Sequence, residues 1–111
     1  MKNNDVQFTE DAYTDIDEIL SYLAETSMTA ALAFKEKIVG LIDDLELFPR
    51  RGRAMTDEQL SIYNFRMHSI GKYVAFYSIA DKTIYVHRVL HGSRNYIPIM
   101  IKYIEKLEDP D

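Results

Sequence analysis

The side chains equipped for chemistry in this chain are cations, imidazoles and phenols, and they crowd into one stretch. Arg66, His68, Tyr73, Tyr77, Tyr85, His87 and His91 all fall within 26 residues of one another. Successive side chains of a strand point to opposite faces, so residues two apart share a side. That period sets Asn64, Arg66 and His68 against Tyr63, Phe65 and Met67. It sets Tyr73, Ala75 and Tyr77 against Val74 and Phe76, and Tyr85, His87 and His91 against Ile84, Val86 and Leu90. With the apolar sets turned toward helices, the other face collects guanidinium, imidazole and phenol groups without a carboxylate. Such a surface suits phosphate, a nucleobase or an acidic peptide. The same composition also describes an ordinary solvated sheet face, on which Arg lays its stem over apolar neighbours.

Two further groups of cations flank that stretch. Arg50-Arg51-Gly52-Arg53 reads as a surface loop whose charge density allows phosphate or acidic-peptide contact. Arg94 precedes Asn95 and is either a structural partner for an element end or a projecting functional cation. Other chemistries find no support. No pair of histidines joins a nearby Asp or Glu at metal-ligand spacing, so no zinc site is expected. No serine sits on a strand–nucleophile–helix turn. Gly92 lacks the spaced glycines of a phosphate-cradling loop, and no cofactor is expected. With no cysteine there is no disulfide framework and no thiolate.

The elements that must position these groups follow from periodicity. Residues 5–8 read as a short strand. Thr9 offers an N-cap oxygen, and Glu10 and Asp11 suit the first turn of a helix. Ala12, Ile16, Ile19, Leu20 and Leu23 then form one apolar stripe. Ser27 or Thr29 caps a second helix with a stripe of Leu32, Phe34, Ile38, Leu41, Ile42 and Leu45, which Phe48-Pro49 ends. Joined by a few residues, the two helices form an antiparallel hairpin. After the polar stretch 49–61 the period changes to two. Residues 62–69, 73–80 and 83–91 are rich in β-formers and are separated by short turns, giving an antiparallel meander. Asn95 caps a last helix with Ile101, Ile104 and Leu107 on its stripe. The expected architecture is α+β, with the N-terminal helical hairpin packed on a three- to four-stranded antiparallel sheet and a C-terminal helix.

The chain has 111 residues, enough for one domain spanning 1–111. The longest stretch without a charge, Thr26 to Phe34, is nine residues, so no membrane span is expected. No secretory signal opens the chain, and a cytoplasmic protein is expected. The net charge of −5 is unevenly spread. Residues 1–49 carry three bases and eleven acids, whereas residues 50–94 carry eight bases and three acids, a local balance of +5. Fields act over roughly 8–10 Å, so the local excess counts for more than the sum. The charge excludes a strongly basic RNA-coating protein. It does not exclude a localised basic site.

The strings LELFPRRGR, YNFRMHSIGKYVAFYSI and IYVHRVLHGSRN, following a helix hairpin, resemble the RelE/ParE family of toxins from type II toxin–antitoxin systems. The opening FTEDAYTDIDEILSYL is similar to the family's first helix, and the likeness covers nearly the whole chain. It implies a bacterial toxin of a plasmid-stabilisation module, neutralised by a cognate antitoxin, with two-to-two heterotetramers expected by analogy. The fold hosts two activities. RelE-like members are mRNA interferases that cut messenger RNA on the ribosome; ParE-like members inhibit DNA gyrase and are not enzymes. Ribonuclease chemistry would fall to Arg66, Arg94, His91 and Tyr73, with Arg66 on the first long strand and Arg94 after the HG turn. The second-strand arginine of that branch is replaced by Tyr73 or Val74, and the strings resemble the ParE branch more closely. Contact with a target or with the antitoxin would then fall to Arg50, Arg51, Arg53, His68 and Arg88. A third reading is a degenerate, non-toxic module that only binds its antitoxin.

Overall fold

Thr9 ends one element and begins the next. Its hydroxyl accepts from the Ala12 amide at 3.1 Å, capping a helix, and donates to the His87 carbonyl at 2.8 Å, tying that cap to the sheet. The computed structural model describes residues 4–108. In chain order it contains β1 (Asp5–Phe8), α1 (Glu10–Thr26), α2 (Met28–Leu47), β2 (Arg53–Ala54), β3 (Arg66–Ile70), β4 (Tyr73–Ala80), β5 (Thr83–His91) and α3 (Tyr96–Glu108), with a single 3-10 turn at Ser61–Tyr63 before β3. Ser27, not Thr29, caps α2, accepting from the Ala30 amide at 3.1 Å. No helix among the described residues is long and apolar enough to cross a membrane.

The expected α+β architecture stands, with a larger sheet. Its strand order is β1-β5-β4-β3-β2. The four residues of β1 join as an edge parallel to β5, and Arg53–Ala54 adds a short antiparallel edge at the other side. β3 starts later than the alternation from residue 62 suggests. Ser61–Tyr63 coils tightly and Asn64 turns into the left-handed region at φ 56°, so pairing resumes only at Arg66.

Both faces of the sheet are covered, which corrects the open polar face expected from alternation. Ala12, Phe34, Leu41 and Leu45 of the hairpin pack on Ala75, Tyr77, Ile84, Val86 and Val89. On the opposite face α3 lays Met100, Tyr103 and Ile104 over Phe65, Met67, Phe76 and Leu90. Five of the seven polar residues grouped from sequence do share a face: by register Arg66, His68, Tyr73, Tyr77 and His91 lie on the hairpin side. Tyr85 and His87 lie on the other. The cause is a β-bulge in β5, where Tyr77 pairs with Val86 but Phe76 pairs with Arg88. One inserted residue flips the alternation, so Ile84 and Val86 face the hairpin while Leu90 faces α3.

Two helix stripes also differ from expectation. Leu32 is exposed, because the buried arc of α2 runs through its neighbour Ala31, about 100° away around the helix. Leu107 is exposed as well, and α3 is anchored instead by Met100 and Tyr103 together with Ile104.

Candidate functional site

Arg88 is not available to a partner. Its Nε and a terminal nitrogen donate to the Asp15 carboxylate at 2.7 and 2.9 Å, and that carboxylate also accepts from the Val89 amide at 2.9 Å. The fork geometry raises the Arg88 pKa above its ordinary value through the Asp15 hydrogen bond. The pair stitches α1 to β5 where β1 has ended. Asp15 sits among Ala12, Ile16 and Ile19, and a carboxylate on an apolar stripe is a signal of a buried partner that sequence reasoning missed.

Arg66 is likewise committed. Its guanidinium donates to the carbonyls of Arg50 at 3.2 Å and Gly52 at 2.5 Å. Beside it the Tyr77 hydroxyl donates to the Pro49 carbonyl at 2.7 Å and accepts from the Gly52 amide at 2.9 Å. Burial pushes the Tyr77 phenol pKa up, which keeps it a donor. The result is a cross-braced loop that holds its backbone inward and leaves the side chains of Arg50, Arg51 and Arg53 exposed. His68 lies against α2, its Nε2 at 3.6 Å from the Asp44 carboxylate.

His87 belongs to the interior. Its Nε2 meets the Ser78 hydroxyl at 2.8 Å and its Nδ1 meets the Tyr103 hydroxyl at 2.7 Å, joining β4, β5 and α3. Burial lowers its pKa to about 4, so the ring is neutral near pH 7.

The remaining candidates converge. Tyr73, His91 and Arg94 line a cleft of about 490 Å³ between α1 and the end of the β4–β5 ladder. Ile19, Val89 and Leu90 supply apolar wall, and Asp15, Glu18 and Tyr22 come from α1. Tyr73 and His91 are cross-strand partners with ring centres 5.2 Å apart in a T-shaped arrangement. His91 Nδ1 accepts from the Ser93 amide at 3.1 Å and lies 2.7 Å from its hydroxyl. An amide can only donate, so the neutral ring carries its proton on Nε2. Burial, and then Tyr22, raise the Tyr73 pKa, leaving its hydroxyl protonated. Arg66 stands apart from this cleft. Its partner on β4 is Tyr77, four residues or about 13 Å along the strand from Tyr73. Sequence reasoning missed Glu18 and Tyr22, which lie on the exposed side of α1 and acquire meaning only when the helix meets β5. Among the described residues no group of His, Asp and Glu converges to hold a metal ion.

The family model described as the ParE toxin of type II toxin-antitoxin system, parDE, matches residues 6–96. No curated protein matches the chain. Among solved structures, a chain of the chromosomal ParDE toxin–antitoxin system from P. aeruginosa superposes with a TM-score of 0.63 at 20% identity, covering 80% of this chain and 96% of its own. A chain of the toxin–antitoxin complex RelBE2 from Mycobacterium tuberculosis superposes with a TM-score of 0.55 at 24% identity, covering 80% of this chain and 98% of its own. At those identities the likeness carries the fold, and the family match over most of the chain carries the membership. The chain belongs to the ParE toxin family of type II toxin–antitoxin systems.

Proposed function

We propose that this toxin arrests bacterial growth by binding DNA gyrase in the cytoplasm, as a plasmid-stabilisation device, and that a cognate antitoxin neutralises it. The observation that carries this reading is the division of the expected ribonuclease set. Arg66 is spent on loop carbonyls, away from Tyr73, His91 and Arg94, while the loop it braces displays Arg50, Arg51 and Arg53. A loop whose backbone is braced and whose cations are exposed supports protein recognition, because less backbone order has to be gained on binding. The antitoxin reading is supported by apolar surface along the hairpin at Tyr13, Met28, Leu32 and Val39, which an amphipathic segment with acidic flanks would cover. Two-to-two complexes fit that pairing. The test is a supercoiling assay with purified gyrase and relaxed plasmid. Added toxin should block supercoiling, and undiminished supercoiling sinks the gyrase reading.

A second reading, cleavage of messenger RNA on the ribosome, is favoured by the cleft itself. Attack of a 2′-hydroxyl on phosphate needs a cation for the developing charge and an acid for the leaving oxygen. Arg94 would supply the first and the Nε2 proton of His91 the second. Codon-specific cuts that persist after Arg94→Ala and His91→Ala remove this reading. Conditional expression that leaves growth unchanged removes both and leaves a binding module.

A further inference from the structure

The cleft between α1 and the β4–β5 end gathers, around one cavity, several polar side chains that the protein itself does not use. Several other charges and phenols are satisfied within the protein. Arg88 takes Asp15, Lys106 takes Asp11, Arg66 and Tyr77 take the loop, and Tyr103 takes His87. In the cleft, among the described residues, the Glu18 carboxylate, the Tyr22 and Tyr73 hydroxyls, His91 Nε2 and the Arg94 guanidinium have no hydrogen-bond or ion-pair partner in the protein. Asp15, also on its wall, is already neutralised by Arg88. Five unused polar groups around one partly apolar cavity of about 490 Å³ are the makings of a small-ligand site.

Each group restricts the ligand. Arg94 and the Nε2 proton of His91 are donors and favour an anion with several oxygens, of which phosphate is the commonest. Tyr22 and Tyr73, with Ile19 and Val89, offer flat and apolar walls suited to a planar ring. Glu18 is a pure acceptor and favours a ring edge with adjacent N–H donors. Guanine presents such an edge, its N1–H and N2 amino group meeting one carboxylate side by side. Adenine offers only its N6 amino group beside the N1 acceptor, which repels a carboxylate.

We propose that this cleft binds a free guanine mononucleotide, the base lying on Tyr22 and Tyr73 with its N1–H and N2 amino group on Glu18, and the phosphate on Arg94 and His91 Nε2–H. Binding requires no catalysis and holds whichever macromolecule the toxin attacks. It is read on the purified chain alone, so its failure is separate from failure of the gyrase or messenger-RNA readings.

The test is calorimetric titration with GMP, AMP, guanosine and inorganic phosphate. GMP should bind at least about tenfold tighter than AMP, since one bidentate base contact has that worth. Guanosine and phosphate should each bind more weakly than GMP. Glu18→Gln should bring GMP and AMP to about the same affinity, and Arg94→Ala should weaken GMP at least about tenfold while leaving guanosine unchanged. Glu18 and Arg94 are exposed side chains, and matching melting temperatures verify that the variants fold. GMP binding no tighter than phosphate, or indifferent to both substitutions, overturns the proposal. A single-stranded tetranucleotide with one guanine examines the other source of the same chemistry. Binding of that RNA tenfold tighter than GMP overturns the free nucleotide as ligand and assigns the cleft to RNA.

Discussion

Asp15 and Arg88, 73 residues apart in sequence, form a forked polar tie between the hairpin and the sheet. Two forked hydrogen bonds and the Val89 amide converge on one carboxylate, and the side chains keep only 10% and 19% of their exposure. Breaking such a pair strands one charge in low dielectric, whereas removing both charges does not. Asp15→Ala should therefore cost about 3 kcal/mol, leaving Arg88 unpaired and the Val89 amide without an acceptor. The double variant Asp15→Leu with Arg88→Met should be closer to wild type than Asp15→Ala alone. Urea midpoints of the three proteins decide it, and a double variant no more stable than Asp15→Ala would contradict the account.

Gly52 and Tyr77 make a second testable relationship. A Cβ on Gly52 would lie 2.7 Å from the Met67 carbonyl oxygen and 2.8 Å from the Tyr77 hydroxyl. Neither neighbour can yield, since one is strand backbone and the other is a buried ring hydrogen-bonded to the loop. Gly52→Ala should destabilise by about 2 kcal/mol and free the loop, an overpacking penalty. Tyr77→Phe keeps the ring and removes both hydrogen bonds, for about 1–2 kcal/mol. Amide exchange at residues 50–53 should accelerate in both variants. Unchanged protection in Tyr77→Phe would falsify the brace.

These two relationships mark the boundary of what the sequence discloses. Helix spans, caps at Thr9 and Ser27, the β4 and β5 strands and the family itself follow from local periodicity and strings. Tyr73, His91 and Arg94, which the family resemblance named as candidates together with Arg66, are brought to one cleft without it. What was not legible depends on register and on which helix covers which face. The bulge in β5 adds no unusual residue, yet it turns Leu90 away from Val86 and sends His87 inside. Likewise Arg66 reads as a projecting cation until the loop carbonyls are seen to fold beneath it. A long-range hydrogen bond leaves no local trace in composition.

His87 predicts how stability follows pH. Its folded pKa, about 4, lies below the ordinary imidazole value of 6.5. Between those values the unfolded chain binds the proton more readily than the folded one, so stability is lost as pH falls from about 6.5 toward 4. The full effect is about 2–3 kcal/mol for a shift of this size in a largely buried group. Above pH 7 this contribution is constant. His87→Gln should be less stable at pH 7 yet flatter between pH 7 and 4.5, since Gln cannot titrate there. Denaturant midpoints at those two pH values for both proteins measure the difference in slope. Parallel slopes would show that His87 is solvated.

The three displayed arginines make the function itself testable. Arg50, Arg51 and Arg53 present their side chains to solvent, and the loop backbone is held by Arg66 and Tyr77 rather than by those side chains. Replacing all three with alanine should therefore change stability by no more than about 0.5 kcal/mol per site. If the loop recognises an acidic surface of the target, the same variant should lose growth arrest and bind gyrase about 10–100-fold more weakly. Wild-type association should slow steeply as salt rises, because long-range attraction is screened, and the variant should show little salt dependence. Arg94→Ala supplies the contrast, because it lies in the cleft and outside the loop. Growth arrest that survives the triple substitution but disappears with Arg94→Ala transfers the toxic function from the loop to the cleft.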